Sequence, residues 1–324
     1  MRIEIVTPAA AGSSHGNRVT AERWAAILAD LGHTPEITTA WSQRPVDAMV
    51  ALHAKRSSAA ALGFARAHPG RPLVVALTGT DLYHDLAVSA EAQRTVERAG
   101  ALVVLQPKAI ESVPAHLRPR VHVIHQSVDL AAPDPAPAPG QDGDGNGFFD
   151  VVVLGHLREV KDPFLTAEAS RLLPADSRVR VTHCGAPMDP GSQERARAET
   201  AGNPRYRWLG GVSRAEALDR LAASRMLVLT SRLEGGANVV SEALALGVPV
   251  LSTRVDGSVG LLGEDYPGFV EVGDAAGLAA ALRRAETDPA FLADLTARVA
   301  RRRGLVDPAR ERRAWAELLT TMAG

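Results

Sequence analysis

The sequence predicts an α/β protein built from two parallel-sheet domains, and three observations carry the prediction. Short apolar runs such as Leu73–Leu77 (LVVAL) and Met226–Thr230 (MLVLT) have the length and composition of strands buried on both faces. Such runs alternate with stretches of helical apolar spacing, so the chain reads as repeated strand–turn–helix units. One segment, residues 131–147, is rich in Pro, Gly, Asp and Ala without any hydrophobic period, and it divides the units into two sets.

In chain order, Ile3–Val6 is the first strand. It runs into the glycine- and serine-rich stretch from Pro8 to Arg18, and a helix follows with Val19, Trp24, Ile27, Leu28 and Leu31 on its apolar face and Gly32 as its stop. A loop of this kind between strand and helix is either a cradle for a phosphate, using Gly12, Ser13, Gly16, Asn17 and Arg18, or a plain βα turn. Asp47–Leu52 is the next strand and ends in His53, Lys55 and Arg56. Ligands of open parallel sheets lie beyond the carboxyl ends of strands, so these three suit an anion; a solvated basic turn is the other reading. Leu73–Leu77 leads to Thr78 and then Asp81, read as a helix cap or a ligand contact. Ala101–Leu105 and Val121–Ile124 complete the first set of strands.

The second set is Asp150–Leu154, Val179–Cys184, Tyr206–Leu209, Met226–Thr230 and Val250–Leu251, with Ser213 capping a helix to Ala223. Helices over 277–285, 291–302 and about 308–322 finish the chain. The expected organisation is therefore an N-terminal Rossmann-like domain (1–130), a linker (131–147), a second Rossmann-like domain (148–305) and a C-terminal helical segment (306–324).

Composition narrows the classes. The 324 residues are 46% hydrophobic and 23% charged with net charge −1, so no global basic field points to nucleic acid or an anionic membrane. The single cysteine, Cys184, excludes an internal disulfide and fits a reducing compartment. The start, MRIEIVTP, reads as a strand rather than a signal peptide, and no apolar run approaches ~18 residues. A cytoplasmic protein with small-molecule partners is expected.

The most informative stretch is Ser231–Thr253, SRLEGGANVVSEALALGVPVLST. It reads as a glycine-rich turn, a helix stopped by Gly247 and Pro249, and a strand. Glu234 lies in the turn and Glu242 about two helical turns further on, so both carboxylates can face one cleft as acceptors for sugar hydroxyls. Two solvated surface glutamates are the alternative.

This string resembles the donor-site signature of the retaining nucleotide-sugar glycosyltransferases of the GT-B fold, group-4 family. The match lies at Ser231, Glu234, Gly235, Glu242, Ala243, Ala245, Gly247, Pro249 and Val250. The resemblance implies two domains facing across a cleft, with the C-terminal helix packed back on the first. It implies that Glu234 contacts the donor sugar, that Glu242 holds the nucleotide ribose, and that Gly12, Gly235, Gly236, Ala237, Asn238 and Val239 line the donor. A bulky residue usually stands where this chain has Gly236, implying a roomier sugar subsite. The segment GHLREVKDPF resembles the family's diphosphate-binding run: Lys161 matches, His156 replaces the usual arginine, and Arg158 stands nearby as a substitute. Lys161, Arg158 and Glu234 are the implied catalytic residues, and Gly211 and Val212 fall near the nucleobase. Thr78 stands where relatives carry a histidine, and His125, Gln126 and Ser127 depart from the family pattern around Ile124, Val128 and Asp129. Nothing around this segment looks like an Asp-x-Asp metal site, so neither a metal nor a cofactor is expected beyond the UDP-sugar co-substrate.

The strings PAAAGSSHGNRVTAERW, ALHAKRS and PLVVALTGTDLYHDL, together with GHLREVKDPF, look like a narrower group, the selenosugar synthases of selenoneine biosynthesis. That resemblance implies transfer of a sugar, typically N-acetylglucosamine from its UDP derivative, to the selenium of selenophosphate, with Ser13, Gly16, Asn17, Arg18, His53, Lys55, Arg56 and Thr78 around the acceptor. A transferase acting on another small or lipid-linked acceptor, and a UDP-sugar-binding sensor without turnover, are the competing readings.

Overall fold

The computed structural model describes residues 1–13, 15–130 and 147–323. All of the expected linker except Gly147 lies outside them, as does Ser14. Two compact units are present: Met1–Ser127 with Glu234–Asn238 and Asp307–Gly324, and Val128–Leu233 with Val239–Val306. Each holds one six-stranded sheet, and every strand pairing in both is parallel.

The first sheet contains β1 (Arg2–Val6), β2 (Thr34–Thr38), β3 (Ala48–Leu52), β4 (Leu73–Leu77), β5 (Ala101–Val104) and β6 (Val121–Val123) in the order β2-β1-β3-β4-β5-β6. Its central strands are apolar throughout because both faces are covered, and the period of two sorts their side chains. Ile3, Ile5, Val50, Leu52, Val74 and Val103 face the helices Gly16–Asp30 and Pro308–Ala323. Met49, Ala51, Val75, Leu77, Leu102 and Val104 face the helices Ser58–Ala67 and Ala90–Arg98. Trp24 and Trp315 meet edge to face, ring centroids 4.9 Å apart. The buried Glu311 ties this corner together: Trp24 Nε1 donates to it at 2.7 Å, Arg23 pairs with it at 3.1 Å, and the Ser127 amide donates to it at 2.7 Å.

The second sheet contains β7 (Phe149–Leu154), β8 (Val179–Cys184), β9 (Tyr206–Gly210), β10 (Met226–Leu229), β11 (Val250–Thr253) and β12 (Phe269–Val270), in the order β12-β11-β10-β7-β8-β9. The sequence pattern had no place for β2 or β12. β2 (TPEIT) is a part-exposed edge strand containing a proline, and β12 is two residues long. Among the described residues no helix is long and apolar enough to cross a membrane.

Candidate active site

Strand order points to where candidate ligand sites lie. In an open parallel sheet, ligands sit beyond the carboxyl ends of the strands where the winding direction reverses. In the second sheet the reversal falls between β7 and β10. The loops leaving these strands carry Gly155–Pro163 and Thr230–Leu233, which include the lysine and arginine singled out above.

The two loops are stitched together. The Thr230 hydroxyl lies 2.9 Å from the carbonyl oxygens of both Lys161 and Asp162. The Arg232 amide donates to Val160 O at 2.9 Å, and its guanidinium pairs with Asp162 at 2.7 Å. Asp162 adopts a left-handed conformation, φ 44°, just after the short turn Glu159–Lys161. Such a conformation costs about 1–3 kcal/mol and persists where the surroundings over-determine it. Arg158, Lys161 and Arg232 are thereby gathered into one cationic loop pair, Arg158 and Lys161 half-buried and Arg232 exposed. Arg232 was not among the expected site residues, although it sits inside the most informative stretch. His156 is half-buried, and its Nδ1 accepts from the Ala186 amide at 3.1 Å.

Glu242 lies on the helix Asn238–Leu246 and is nearly buried. Arg214, on the helix Arg214–Ala223, pairs with it at 3.3 Å. That helix is capped as the sequence suggests, by the Ser213 hydroxyl accepting from the Glu216 amide. Gly211 and Val212 immediately precede the cap, so the expected nucleobase segment and the arginine facing the expected ribose carboxylate share one turn.

In the first sheet the reversal falls between β1 and β3. The loop leaving β1 contains Gly12 and Ser13, while Gly16, Asn17 and Arg18, expected in that loop, instead open the helix Gly16–Asp30; the loop leaving β3 contains His53, Lys55 and Arg56. The Ser13 hydroxyl oxygen is buried and has no hydrogen-bond partner among the described residues. Arg18 pairs with Glu22 one helical turn away, at 2.7 Å. His53 is buried with φ 75°. Its Nδ1 accepts from the Arg56 amide at 3.3 Å, so Nε2 carries the proton and faces Thr80 Oγ1 at 3.1 Å. Burial pulls the His53 pKa below its ordinary value. Lys55 pairs with Asp85 at 3.0 Å. Burial by itself would raise the Asp85 carboxyl, but hydrogen bonds from Lys55 and His84 outweigh it and hold the pKa below the usual value.

Asp81, expected as a helix cap or a ligand contact, does not cap the turn that follows it. It is fully buried, and its carboxylate accepts from the amides of Thr78 (3.0 Å), Gly79 (2.8 Å) and Ala54 (3.0 Å). It thus binds the chain leaving β4 to the chain leaving β3, and it opens a π-helical turn, Asp81–Asp85, a feature frequent at functional sites.

The glycine-rich segment Glu234–Asn238 belongs to this first unit, whereas Val239 and Glu242 belong to the second. Glu234 and Ala237 are buried. A Cβ on Gly235 would stand 2.3 Å from the Thr78 carbonyl oxygen, and one on Gly236 would stand 2.6 Å from Leu105 Cβ. The expectation of a roomier sugar subsite at Gly236 is therefore corrected: Leu105 fills the space beside it, and glycine is there for close packing. Gln126 anchors the same segment. In the amide orientation that satisfies both ends, its nitrogen donates to Gly236 O (2.9 Å) and Asn238 Oδ1 (3.1 Å), while its oxygen accepts from Thr20 (2.7 Å) and Arg23 (3.1 Å). Gly16 lies against Asn238, whose Nδ2 would be 3.6 Å from a Cβ there. Among the described residues no group of three His, Cys, Asp or Glu side chains is placed to hold a metal ion.

Comparison with known proteins agrees with this architecture. The family model "Glycosyl transferases group 1" matches residues 141–302, half of the chain. Anabaena HepE in complex with UDP superposes with TM-score 0.75 at 17% identity over 99% of both chains. Sucrose-phosphate synthase from Thermosynechococcus elongatus gives 0.76 at 16% identity, over 99% of this chain and 98% of that one. The UDP-forming α,α-trehalose-phosphate synthase from Burkholderia vietnamiensis gives 0.69 at 18%, over 94% and 77%. No curated protein matches the sequence. With two six-stranded parallel sheets of this order and a family match over half its length, the chain has the GT-B fold and belongs to the group 1 glycosyl transferases.

Proposed function

We propose that this chain is a selenosugar synthase, transferring a sugar from a UDP-sugar, with N-acetylglucosamine as the preferred sugar, to the selenium of selenophosphate. The observation that carries the donor half is the cationic loop pair at the second sheet's reversal, where Lys161, Arg158 and Arg232 are stitched together. A departing UDP gathers negative charge on its β-phosphate, and preorganised cations there lower the barrier. Glu242 holds the ribose, Gly211 and Val212 border the base, His156 donates to the diphosphate, and Glu234 with the segment to Val239 orients the sugar. Support for a UDP-sugar comes from fold relatives: HepE is described in complex with UDP-glucose and with UDP and glucose.

The acceptor half rests on the N-terminal strings and on what they build. The loop beyond β1 is rich in small residues and leads into a helix whose first turn carries Arg18, and the loop beyond β3 carries Lys55 and Arg56, which suits a small anion better than a long lipid. Lys55 is held by Asp85 and Arg18 by Glu22; an incoming selenophosphate shares these cations with the carboxylates. Selenium is nucleophilic near neutral pH, so the site has to bring two anions together rather than supply a strong base. In the transfer, a selenium lone pair forms the bond to C1 while the C1–O bond breaks and UDP leaves with the electron pair. Water then adds to phosphorus, the P–Se bond breaks, and the products are the 1-selenosugar and phosphate, the water supplying both the phosphate oxygen and the selenol proton.

The test is anaerobic incubation of the pure protein with UDP-N-acetylglucosamine and selenophosphate, read by mass spectrometry for a product with the selenium isotope pattern. A selenosugar formed over many turnovers supports the proposal. UDP release only with a different acceptor leaves a glycosyltransferase and removes the selenium assignment. Donor binding without any release points to a sensor.

A further inference from the structure

We propose that the buried pair Tyr206–His183 positions the Gly155–His156 peptide, and through it holds His156 as a neutral, one-proton donor to the nucleotide-sugar diphosphate. The proposal rests on the donor site proposed above.

Tyr206 opens β9 and His183 lies near the end of β8; both are almost wholly buried. The Tyr206 hydroxyl is 2.7 Å from His183 Nδ1, and His183 Nε2 is 3.0 Å from the Gly155 carbonyl oxygen. A carbonyl can only accept, so Nε2 carries the proton. Nδ1 is then bare and accepts from the phenol. Every proton in the chain Tyr206 to His183 to Gly155 has one allowed place. Burial agrees with the neutral ring, pushing His183 down to about 4 and the Tyr206 phenol above its usual value.

Burying two polar side chains is costly unless each is paired, and two apolar residues would fill the same space. What the polar pair adds is a grip on Gly155, the first residue past β7. The segment that follows is then laid against the chain leaving β8. Gly155 N donates to Cys184 O at 3.0 Å, Leu157 N to Ala186 O at 3.0 Å, and Ala186 N to His156 Nδ1 at 3.1 Å. Gly185 permits this approach, since a Cβ there would fall 1.8 Å from Gly155 O. Trp208 Nε1 in turn holds Gly185 O at 2.9 Å.

The consequence is chemical. With Nδ1 accepting a backbone proton, the His156 ring is the Nε2–H tautomer. In place of a guanidinium fork it offers the diphosphate one directed N–H, and its direction is set by the peptide that His183 grips. Tyr206 and His183 are positioning residues in this scheme and do not touch the donor.

The test compares Tyr206→Phe with Tyr266→Phe. Tyr266 is another buried tyrosine of the same unit, and its hydroxyl donates to Val250 O at 2.8 Å, away from the Gly155–Arg158 segment. Tyr206→Phe loses one buried hydroxyl bond and Tyr266→Phe loses two, since the Val250 amide also donates to the Tyr266 oxygen at 3.1 Å, so the control is the harsher change. UDP affinity is measured by calorimetry, and histidine tautomers by nitrogen-15 NMR. The expected result is UDP binding weakened about tenfold in Tyr206→Phe and within about twofold of wild type in Tyr266→Phe. The His156 signals are expected to change from one Nε2–H tautomer to a mixture only in Tyr206→Phe. Equal UDP affinity in both variants, or an unaltered His156 tautomer in Tyr206→Phe, overturns the positioning role alone. A wild-type protein that binds no UDP overturns the donor site and this role with it.

Discussion

Arg214 faces Glu242: its guanidinium lies 3.3 Å from a carboxylate that is nearly buried on the neighbouring helix. The pair joins residues 28 positions apart, so it is invisible to spacing rules. A carboxylate held this way is oriented, which is what an acceptor of two ribose hydroxyls needs. Glu242→Ala is expected to weaken UDP binding by about 10- to 100-fold, since two charge-assisted hydrogen bonds are lost. Arg214→Ala is expected to cost less than about fivefold, because the guanidinium is half exposed and screened by water. Calorimetric titration with UDP checks both; equal losses would mean that Arg214 binds the nucleotide directly.

Lys161 acts on the leaving group in this account. Lys161→Ala is expected to lower kcat by about 100-fold or more, with a smaller change in donor KM, because charge on the departing diphosphate grows mainly in the transition state. Steady-state rates of UDP release give the split. Arg232→Ala removes the pair with Asp162 and loosens the turn after Lys161, so a smaller fall in the same parameter is expected.

Gly235 and Gly236 test the packing account. Gly235→Ala drives a Cβ into the Thr78 backbone carbonyl, which cannot move aside as a side chain can. Activity is expected to fall at least about tenfold with a loss of about 1–3 kcal/mol in stability, the usual scale for overpacking. Gly236→Ala meets Leu105 and should behave alike. An active, fully stable Gly236→Ala protein would restore the idea of an open sugar subsite. Chemical denaturation alongside the rate assay decides.

How much of this was legible in the sequence follows from where each interaction is made. The central strands were legible because burial on both faces leaves continuous apolar runs. The loops carrying Lys161 and Glu234 were legible because glycines and charges follow such runs directly. β2 and β12 were hidden by exposure and shortness. Asp81 could not be read correctly, since one of its partners, the Ala54 amide, is 27 residues away. Gly236 was misread for the same reason: whether a glycine marks open space or tight contact depends on Leu105, which only the fold brings near.

His183 predicts a pH dependence of stability. In the folded protein its pKa is lowered from 6.5 to about 4, so the unfolded chain binds the proton more readily. The stability from keeping the ring neutral is whole above about pH 6.5 and is lost progressively as pH falls towards 4, by an amount on the order of 3 kcal/mol. Urea unfolding at pH 7.5 and pH 4.5 should show this fall. In His183→Leu that part of the fall should be absent, and an equal fall in both proteins would contradict the assignment.

The central claim is that selenophosphate is the acceptor. The most direct measurement is the rate of UDP release from UDP-N-acetylglucosamine under anaerobic conditions, with selenophosphate set against phosphate, simple sugars and a lipid phosphate at equal concentration. The account predicts that selenophosphate alone raises the rate well above the acceptor-free background, one selenosugar appearing per UDP, and that Lys161→Ala abolishes the increase. Release that is unchanged by selenophosphate, or faster with any other acceptor, would contradict it.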